Sequence, residues 1–359
     1  MSAAGLSDRA TLAVAPDADE SSRFVRDAHA IVRDLLVPVR WRYWADFLLT
    51  IAVTYSALAV YLTADLVSLV AIVAMVVSGL AMFRAVTFTH ELVHHPTGFR
   101  GFAIAWNLLC GIPLLLPSFL YGDHTGHHAN HAYGTWADPE YLLRGSRSRG
   151  RRVAFLLLAI VYPLLPAIRF LFLTPLAAVS RPIDRFVWRY GSSLYVMNES
   201  YARDDERAAA SASRWWQEIT CSLWAWTAVA LITTGRVPLG VAGRVYLVFL
   251  FWMTVNQVRT LTAHRYSSDG DAPLTYLEQV LDTNTFPHGG WLPNLWAPLG
   301  LRYHALHHLM PALPYHAMGT AHRRLLAALP PGSPYHQTIK PGLAAVLVTM
   351  LGRSPSAPR

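Results

Sequence analysis

The chain of 359 residues has little charge, because Asp, Glu, Lys and Arg together make up only 14% of it. A soluble domain usually carries roughly 25% charged residues, so an extensive water-exposed surface is not indicated. Lysine is nearly absent: Lys340 is the only one, and the net charge of +8 comes from arginine. The arginines flank apolar segments, which is typical of membrane proteins rather than of nucleic-acid-binding proteins.

Cysteine is also scarce, since only Cys110 and Cys221 occur and both lie in apolar stretches. A disulfide framework and a thiolate metal site are therefore not expected. Residues 1–22 lack an apolar core of the kind that a cleaved signal peptide contains, and we expect them to be disordered. A basic amphipathic stretch follows and is expected on the cytoplasmic membrane surface. We divide the chain into this N-terminal segment (1–40), one membrane domain (41–326) and a C-terminal tail (327–359).

Apolar residues make up 53% of the chain and form runs close to the ~20 residues of a spanning helix. Phe102–Leu120 and Val153–Ala178 contain several prolines and are predicted to be re-entrant or interfacial. The sequence thus predicts an all-α integral membrane protein with about four transmembrane helices in two hairpins, interfacial helices and a cytoplasmic histidine-rich metal-binding cap. The predicted spans are Tyr43–Leu62 with Leu66–Phe83, and Ile219–Thr234 with Val245–Thr262.

Histidine is abundant, with 16 in the chain, and nine of them lie in three short clusters. Residues three or four apart project from one face of a helix, so each cluster directs two or three imidazoles toward one point. A single zinc needs only about four ligands, so nine histidines imply at least two metals. The clusters read His90-Glu91-Leu92-Val93-His94-His95, His124-Thr125-Gly126-His127-His128 and His304-Ala305-Leu306-His307-His308.

The three clusters can form one site only if they leave the membrane on the same face. An even number of crossings must therefore separate His128 from His304, and the second predicted hairpin supplies two. Both termini and all clusters then lie on the arginine-rich side, which the positive-inside rule makes cytoplasmic. We expect the bacterial inner membrane.

The spacing HxxxHH, HxxHH, HxxHH around two apolar hairpins resembles that of the membrane-bound fatty acid desaturase superfamily. The neighbouring residues Tyr133-Gly134-Thr135, Asp138-Pro139-Glu140-Tyr141 and Gly300-Leu301-Arg302-Tyr303 are similar as well. The resemblance extends from about Trp41 to about Leu326. It implies two non-haem irons that activate oxygen against an alkyl chain, with electrons from an external ferredoxin, rubredoxin or cytochrome b5 type donor.

The resemblance also implies a set of metal ligands. His264 lies outside the boxes, where the last predicted span ends, and some relatives have a non-ligand at the position of His95. His131 and His288 remain open as ligands, and the carboxylates Glu91, Asp123, Asp138 and Glu140 are expected to orient ligating imidazoles. The predicted ligands are His90, His94, His95, His124, His127, His128, His264, His304, His307 and His308.

The leading functional prediction is a fatty acyl desaturase that uses oxygen and external electrons. The alternative is a lipid or alkyl hydroxylase with the same metal site, because this fold does not fix the reaction. A haem-binding or metal-transport protein is a further class, but its histidines would lie within the spanning helices. Trp252 and Met253 are candidates for lining a substrate tunnel, although ordinary helix packing also explains them.

Overall fold

The computed structural model describes residues 18–95, 100–143, 148–193, 197–198, 200–204 and 211–352, and within these ranges the regular structure is helical. The α-helices are α1 Ala18–Val32, α2 Arg40–Thr63, α3 Leu69–His94, α4 Arg100–Trp106, α5 His124–His127, α6 Arg149–Leu157, α7 Leu165–Ile168, α8 Thr174–Val179, α9 Arg181–Gly191, α10 Ala212–Thr233, α11 Leu239–Ala263, α12 Tyr276–Asp282, α13 Pro293–Trp296, α14 His304–Leu309, α15 Tyr315–Ala328, α16 Pro334–Gln337 and α17 Leu343–Gly352. Short 3-10 helices lie at Arg33–Leu35, Ser118–Tyr121 and Leu158–Ile160, and π-helical turns at Asn107–Gly111 and Arg169–Leu173.

Three of these helices are long and apolar enough to cross a membrane. They are α2, α3 and α11, with 24, 26 and 25 residues. The N-terminal half of α3 leaves apolar side chains such as Leu69, Val73 and Val77 exposed, which a hydrocarbon environment tolerates and water does not. The structure therefore supports an integral membrane protein with three such helices in the described part of the chain.

The predicted span Ile219–Thr234 is not among these three helices. Helix α10 contains the predicted span Ile219–Thr234 almost entirely and is 22 residues long, but it is not among the helices apolar enough to span. Its first half contains Gln217 and Glu218, and tryptophan and threonine dilute the rest. Arg149–Ile160 and Leu165–Val179 pass the same test only together, and their 61° bend fits either one broken span or the re-entrant segment predicted for Val153–Ala178.

The predicted re-entrant segment Phe102–Leu120 contains no helix long enough to cross the membrane. Its apolar helix Gly101–Gly111 ends in a π-helical turn, and Leu115 adopts a left-handed backbone with φ 57°. The chain then turns back into a short 3-10 helix that leads directly to the second histidine cluster. This geometry agrees with the prediction that the segment does not span.

Helices α2 and α3 pack antiparallel, and α11 packs beside α3. Ser78 Oγ donates to the carbonyl oxygen of Thr54 at 3.1 Å, which ties the middle of the two helices together. Gly79, the next residue of α3, faces α11: a Cβ there would overlap the Phe251 ring, so this close approach requires glycine. One turn further along, the rings of Phe83 and Trp252 stack with centroids 6.2 Å apart.

Both connecting turns lie at the end of the helices that is remote from the histidines. Arg244, near the start of α11, donates hydrogen bonds to the carbonyl oxygens of Tyr61 and Ala64 at the end of α2. Consequently α3 and α11 run in the same direction, and both end at the histidine clusters, α3 with His94 and α11 just before His264.

The N-terminal segment is more ordered than its composition predicts. Disorder was expected through Ser22, but α1 begins at Ala18, so the prediction is wrong for residues 18–22, while residues 1–17 lie outside the described ranges. Phe24, Ala28 and Val32 on one face of α1 are buried in a core with α15, where Ala321 and Leu325 contribute. The apolar face of α1 thus packs on the protein itself.

Candidate metal centre

Eight of the ten predicted ligands form two compact groups, and in each group the ring nitrogens lie within 4.8 Å of one another. The His90 group contains His90, His94, His124 and His307, and the His127 group contains His127, His264, His304 and His308. Each of the three boxes contributes to the site, and two of them divide their histidines between both groups. The geometry therefore offers two candidate metal positions, the number that the histidine count led us to expect.

The histidines are held by elements of very different length. His90 and His94 occupy the last turn of the 26-residue helix α3, one helical turn apart, so their imidazoles point the same way. His264 is the residue that follows the 25-residue helix α11. The second and third boxes lie on the short helices α5 and α14, which have four and six residues.

Ring nitrogens converge so closely that a shared cation fits between them. His307 Nε2 lies 3.0 Å from His90 Nε2 and 2.9 Å from His128 Nε2. In the His127 group, Nε2 of His304 and Nε2 of His264 are 2.8 Å apart. Nitrogens bound to one ion at ~2.1 Å are separated by roughly 3–3.5 Å, so little movement would admit a metal.

Unsatisfied buried nitrogens support the same conclusion. Neither ring nitrogen of His308 has a hydrogen-bond partner among the described residues, although the side chain is buried. Such an orphaned polar group is costly unless another partner is present. Burial also lowers the pKa of His304, His307 and His308 well below its usual range. These imidazoles are therefore neutral, which is the form that binds metals.

His128 lies between the two groups. Its Nε2 is 3.1 Å from Nε2 of His124, and its ring centroid is 4.5 Å from that of His308. It thus contacts a member of each group, which places it where it can complete either metal site.

Two of the four expected carboxylates orient histidines. Glu140 Oε1 lies 2.7 Å from Nδ1 of His124, and Asp138 Oδ1 lies 2.8 Å from Nδ1 of His127. Each carboxylate accepts the Nδ1 proton and so leaves the Nε2 lone pair for a metal. Burial works against protonation of His127, but the Asp138 carboxylate outweighs it and raises the pKa of this imidazole, making it a more basic ligand.

The other two carboxylates have different partners, which corrects the expectation for them. Glu91 Oε2 accepts from the Tyr43 hydroxyl at 2.6 Å and from the Tyr315 backbone, whereas its other oxygen is 3.8 Å from His90. Asp123 pairs with Arg203 at 2.7 Å. Both residues hold helices and loops together around the site without touching a ring nitrogen at hydrogen-bond distance.

Asp282 is a functional residue that the sequence did not reveal. Nδ1 of His264 lies 2.9 Å from the Tyr133 hydroxyl, which donates to Asp282 Oδ2 at 3.0 Å. The same oxygen accepts from Tyr141, and Oδ1 accepts from the backbone and side chain of Ser267. Asp282 is the last residue of α12, and no histidine box lies near it in the sequence. Only folding of the chain therefore brings Asp282 to the candidate metal centre.

We expect Asp282→Asn to weaken metal binding about 10- to 100-fold, as the loss of an outer-shell partner does. The side chain keeps its size, but an amide cannot accept from both tyrosines and Ser267 together. Metal affinity can be measured by competition with a chelator. Asp34→Asn is the matched control, because Asp34 forms an exposed ion pair with Arg324 and should bind metal like the wild type. Equal affinities for the two variants would show that the Tyr133–Asp282 pair does not support His264.

The remaining candidate histidines lie outside both groups. His95 follows α3 and packs near the ring of Tyr43, with centroids 6.5 Å apart. His131 and His288 are exposed. His322 is buried, but its Nδ1 pairs with the Tyr335 hydroxyl at 2.7 Å, a packing role like the one predicted for isolated histidines.

A cavity of about 370 Å³ leads from His90 between α3 and α11, bordered also by the bent segment that begins with α6, and we name it the α3–α11 cavity. Its wall is mainly apolar, with Phe83, Leu120 and Phe249 among the lining residues. Trp252 and Met253 line it as predicted. A long apolar molecule in this cavity would have one end at the His90 group.

Comparison with known proteins adds two matches. The profile of the family described as "Fatty acid desaturase" matches residues 66–339, a range that contains every predicted ligand. A ceramide hydroxylase from Caulobacter vibrioides (strain NA1000 / CB15N) is 37% identical over 335 residues, which cover 91% of this chain and 93% of that protein. No solved structure gives a significant match.

Proposed function

This chain belongs to the fatty acid desaturase family, as its histidine boxes indicated, and we propose that it is a membrane hydroxylase acting on a ceramide-like lipid. The observation that carries the proposal is the pair of four-histidine groups at the inner end of an apolar cavity. Near full-length similarity to a ceramide hydroxylase favours hydroxylation, the alternative in the sequence analysis, over the leading prediction of acyl desaturation.

The metals of this hydroxylase are two non-haem irons in our proposal. The His90 group would hold one and the His127 group the other, with His128 available to either. The iron pair supplies the oxidising power from O2 that an unactivated C–H bond requires and that no side chain provides. Overall, R–H, O2, two electrons and two protons yield R–OH and water. The electrons come from an external donor of ferredoxin, rubredoxin or cytochrome b5 type.

The protein's own residues orient the ligands and keep water out. Glu140, Asp138 and the Tyr133–Asp282 pair fix three imidazoles with Nε2 toward the metals. Phe83 and Trp252, stacked on each other, line the apolar part of the cavity about two helical turns from His90. Exclusion of water from this region would protect a reactive oxidant from side reactions.

We further propose that the metal centre faces the cytoplasm. The arginines at the start of α6 (Arg149, Arg151 and Arg152) follow the second box, and α3 and α11 both end at the metal centre. The positive-inside rule favours the cytoplasm for such a basic connection. In a bacterium this corresponds to the inner membrane.

The reaction can be tested in membranes that contain the protein, supplied with ceramide, O2 and a reduced ferredoxin system. Mass spectrometry of the lipids should reveal ceramide with one additional oxygen atom. Membranes with the His307→Ala variant serve as the control and should leave ceramide unchanged. A product that has lost two hydrogens and gained no oxygen would instead identify the protein as a desaturase.

A further inference from the structure

Arg259, on α11, is a buried cation without a carboxylate partner in the described part of the chain. Its side chain is 8% exposed, and it lines the α3–α11 cavity. Nη2 donates to Thr260 Oγ1 at 2.9 Å and to Asn256 Oδ1 at 3.4 Å, but the buried Nε has no partner. A buried, uncompensated charge is expensive, so its presence in an apolar cavity points to a partner that arrives with the substrate.

Two other buried arginines near this cavity are neutralised by a carboxylate. Arg169 and Arg214 both bind the buried carboxylate of Glu218, at 2.5 and 2.9 Å. Arg169 lines the same cavity, but its guanidinium already donates hydrogen bonds to Glu218, to Thr174 and to the carbonyl oxygen of Gly191. Arg259 therefore differs from Arg169 and Arg214, because it has no carboxylate partner among the described residues and its Nε–H has no acceptor there.

Arg259 lies at the level of the metal centre. Helices α3 and α11 run in the same direction, and Phe83 stacks on Trp252. Seven residues further along each helix, roughly 10 Å at 1.5 Å per residue, come His90 and Arg259. Both residues line the cavity. A group bound to Arg259 is thus adjacent to the His90 group, whereas the cavity becomes more apolar in the other direction.

Thr89 provides a second unsatisfied group at this level. Its hydroxyl is buried, lines the cavity and has no partner among the described residues. Helical threonines commonly donate to the carbonyl four residues earlier, as Thr87 does to Phe83 at 2.7 Å. The Thr89 hydroxyl is free of that bond and available to a ligand in the cavity.

We propose that Arg259 and Thr89 form a subsite that binds an oxygen atom of the substrate's polar head, an amide carbonyl or a hydroxyl. A guanidinium only donates hydrogen bonds, so it selects an acceptor. With the head at Arg259, the alkyl chain extends along the apolar wall, and the carbons nearest the head lie beside the His90 group. Hydroxylation is thereby directed to a carbon close to the head rather than to the middle of the chain. The identity of the lipid rests on the proposed function.

Lipid binding by the purified, metal-loaded protein in nanodiscs tests this subsite without turnover. The wild type should bind ceramide more tightly than an n-alkane of matched length. Arg259→Met should weaken ceramide binding about 10- to 100-fold, the usual loss for a hydrogen bond from a charged donor, and leave alkane binding unchanged. Thr89→Val should give a smaller loss in the same direction, and Arg259→Lys should restore part of the affinity.

Arg324→Met is the matched control, because Arg324 is exposed, pairs with Asp34 and does not line the cavity, and it should bind both lipids like the wild type. Metal content should equal that of the wild type in every variant. Unchanged ceramide binding in both Arg259→Met and Thr89→Val would overturn the proposal, as would loss of metal in Arg259→Met. If ceramide is desaturated rather than hydroxylated while Arg259→Met still binds it weakly, the proposed reaction fails and the subsite stands.

Discussion

His307→Ala should abolish hydroxylation and remove at least one of the two bound irons. His307 Nε2 lies within 3.0 Å of ring nitrogens of both His90 and His128, so this side chain is central to the His90 group. Loss of an outer-shell partner already costs 10- to 100-fold, so we expect turnover to fall by more than about a hundredfold. Iron per chain and the yield of hydroxylated lipid measure the two effects.

His131→Ala is the control for this variant. His131 is close to the second box in sequence, but its side chain is exposed and belongs to neither histidine group. Turnover and iron content should therefore stay near wild-type values. Retention of full iron content by His307→Ala, or an equal loss in His131→Ala, would refute the assignment of ligands by their convergence.

The second prediction compares His264 with His95, the two ligand candidates that the sequence left least settled. His264→Ala should lose iron and activity as a box mutation does, because its Nε2 lies 2.8 Å from that of His304 within the His127 group. His95→Ala should retain the bound iron, since His95 belongs to neither group. His264 directly follows α11, so the end of this long helix fixes its backbone position.

Iron content and electron paramagnetic resonance of the reduced protein distinguish these variants. A His264→Ala protein that keeps one iron per chain would show a spectrum of isolated iron in place of a coupled pair. The opposite pattern, with full iron in His264→Ala and a loss in His95→Ala, would mean that the loop after α3 supplies a ligand and that the His127 group is incomplete.

The histidine boxes could be recognised from sequence because their geometry is local. His90 and His94 are one helical turn apart, and that spacing alone makes them point together. The carboxylates around the boxes could not be assigned in the same way. Asp138 and Asp123 are both near the second box, yet one binds His127 and the other binds Arg203. Adjacency in sequence does not determine which partner a carboxylate finds.

Contacts between residues that are far apart in the sequence could not be predicted from it. Asp282 reaches the metal centre because α12 packs against the third box, a contact that no spacing encodes. The predicted span in α10 is not confirmed, because this 22-residue helix is not among the three that are long and apolar enough to cross a membrane. Helix α10 nevertheless exposes Ile219, Leu223 and Trp226, as the N-terminal half of α3 exposes its apolar side chains.

Each histidine group combines residues from distant parts of the chain, so a metal bound there would act as a crosslink between them. The His90 group joins positions 90, 124 and 307, and the His127 group joins 127, 264 and 304. Each ion would close loops of tens to nearly two hundred residues, and ordering such loops costs entropy that metal coordination offsets. Helices α5 and α14, with four and six residues, are too short to be stable in isolation. Loading of the proposed irons would thus also be a step in folding, and we expect the chain that lacks iron to be the more easily unfolded and proteolysed form.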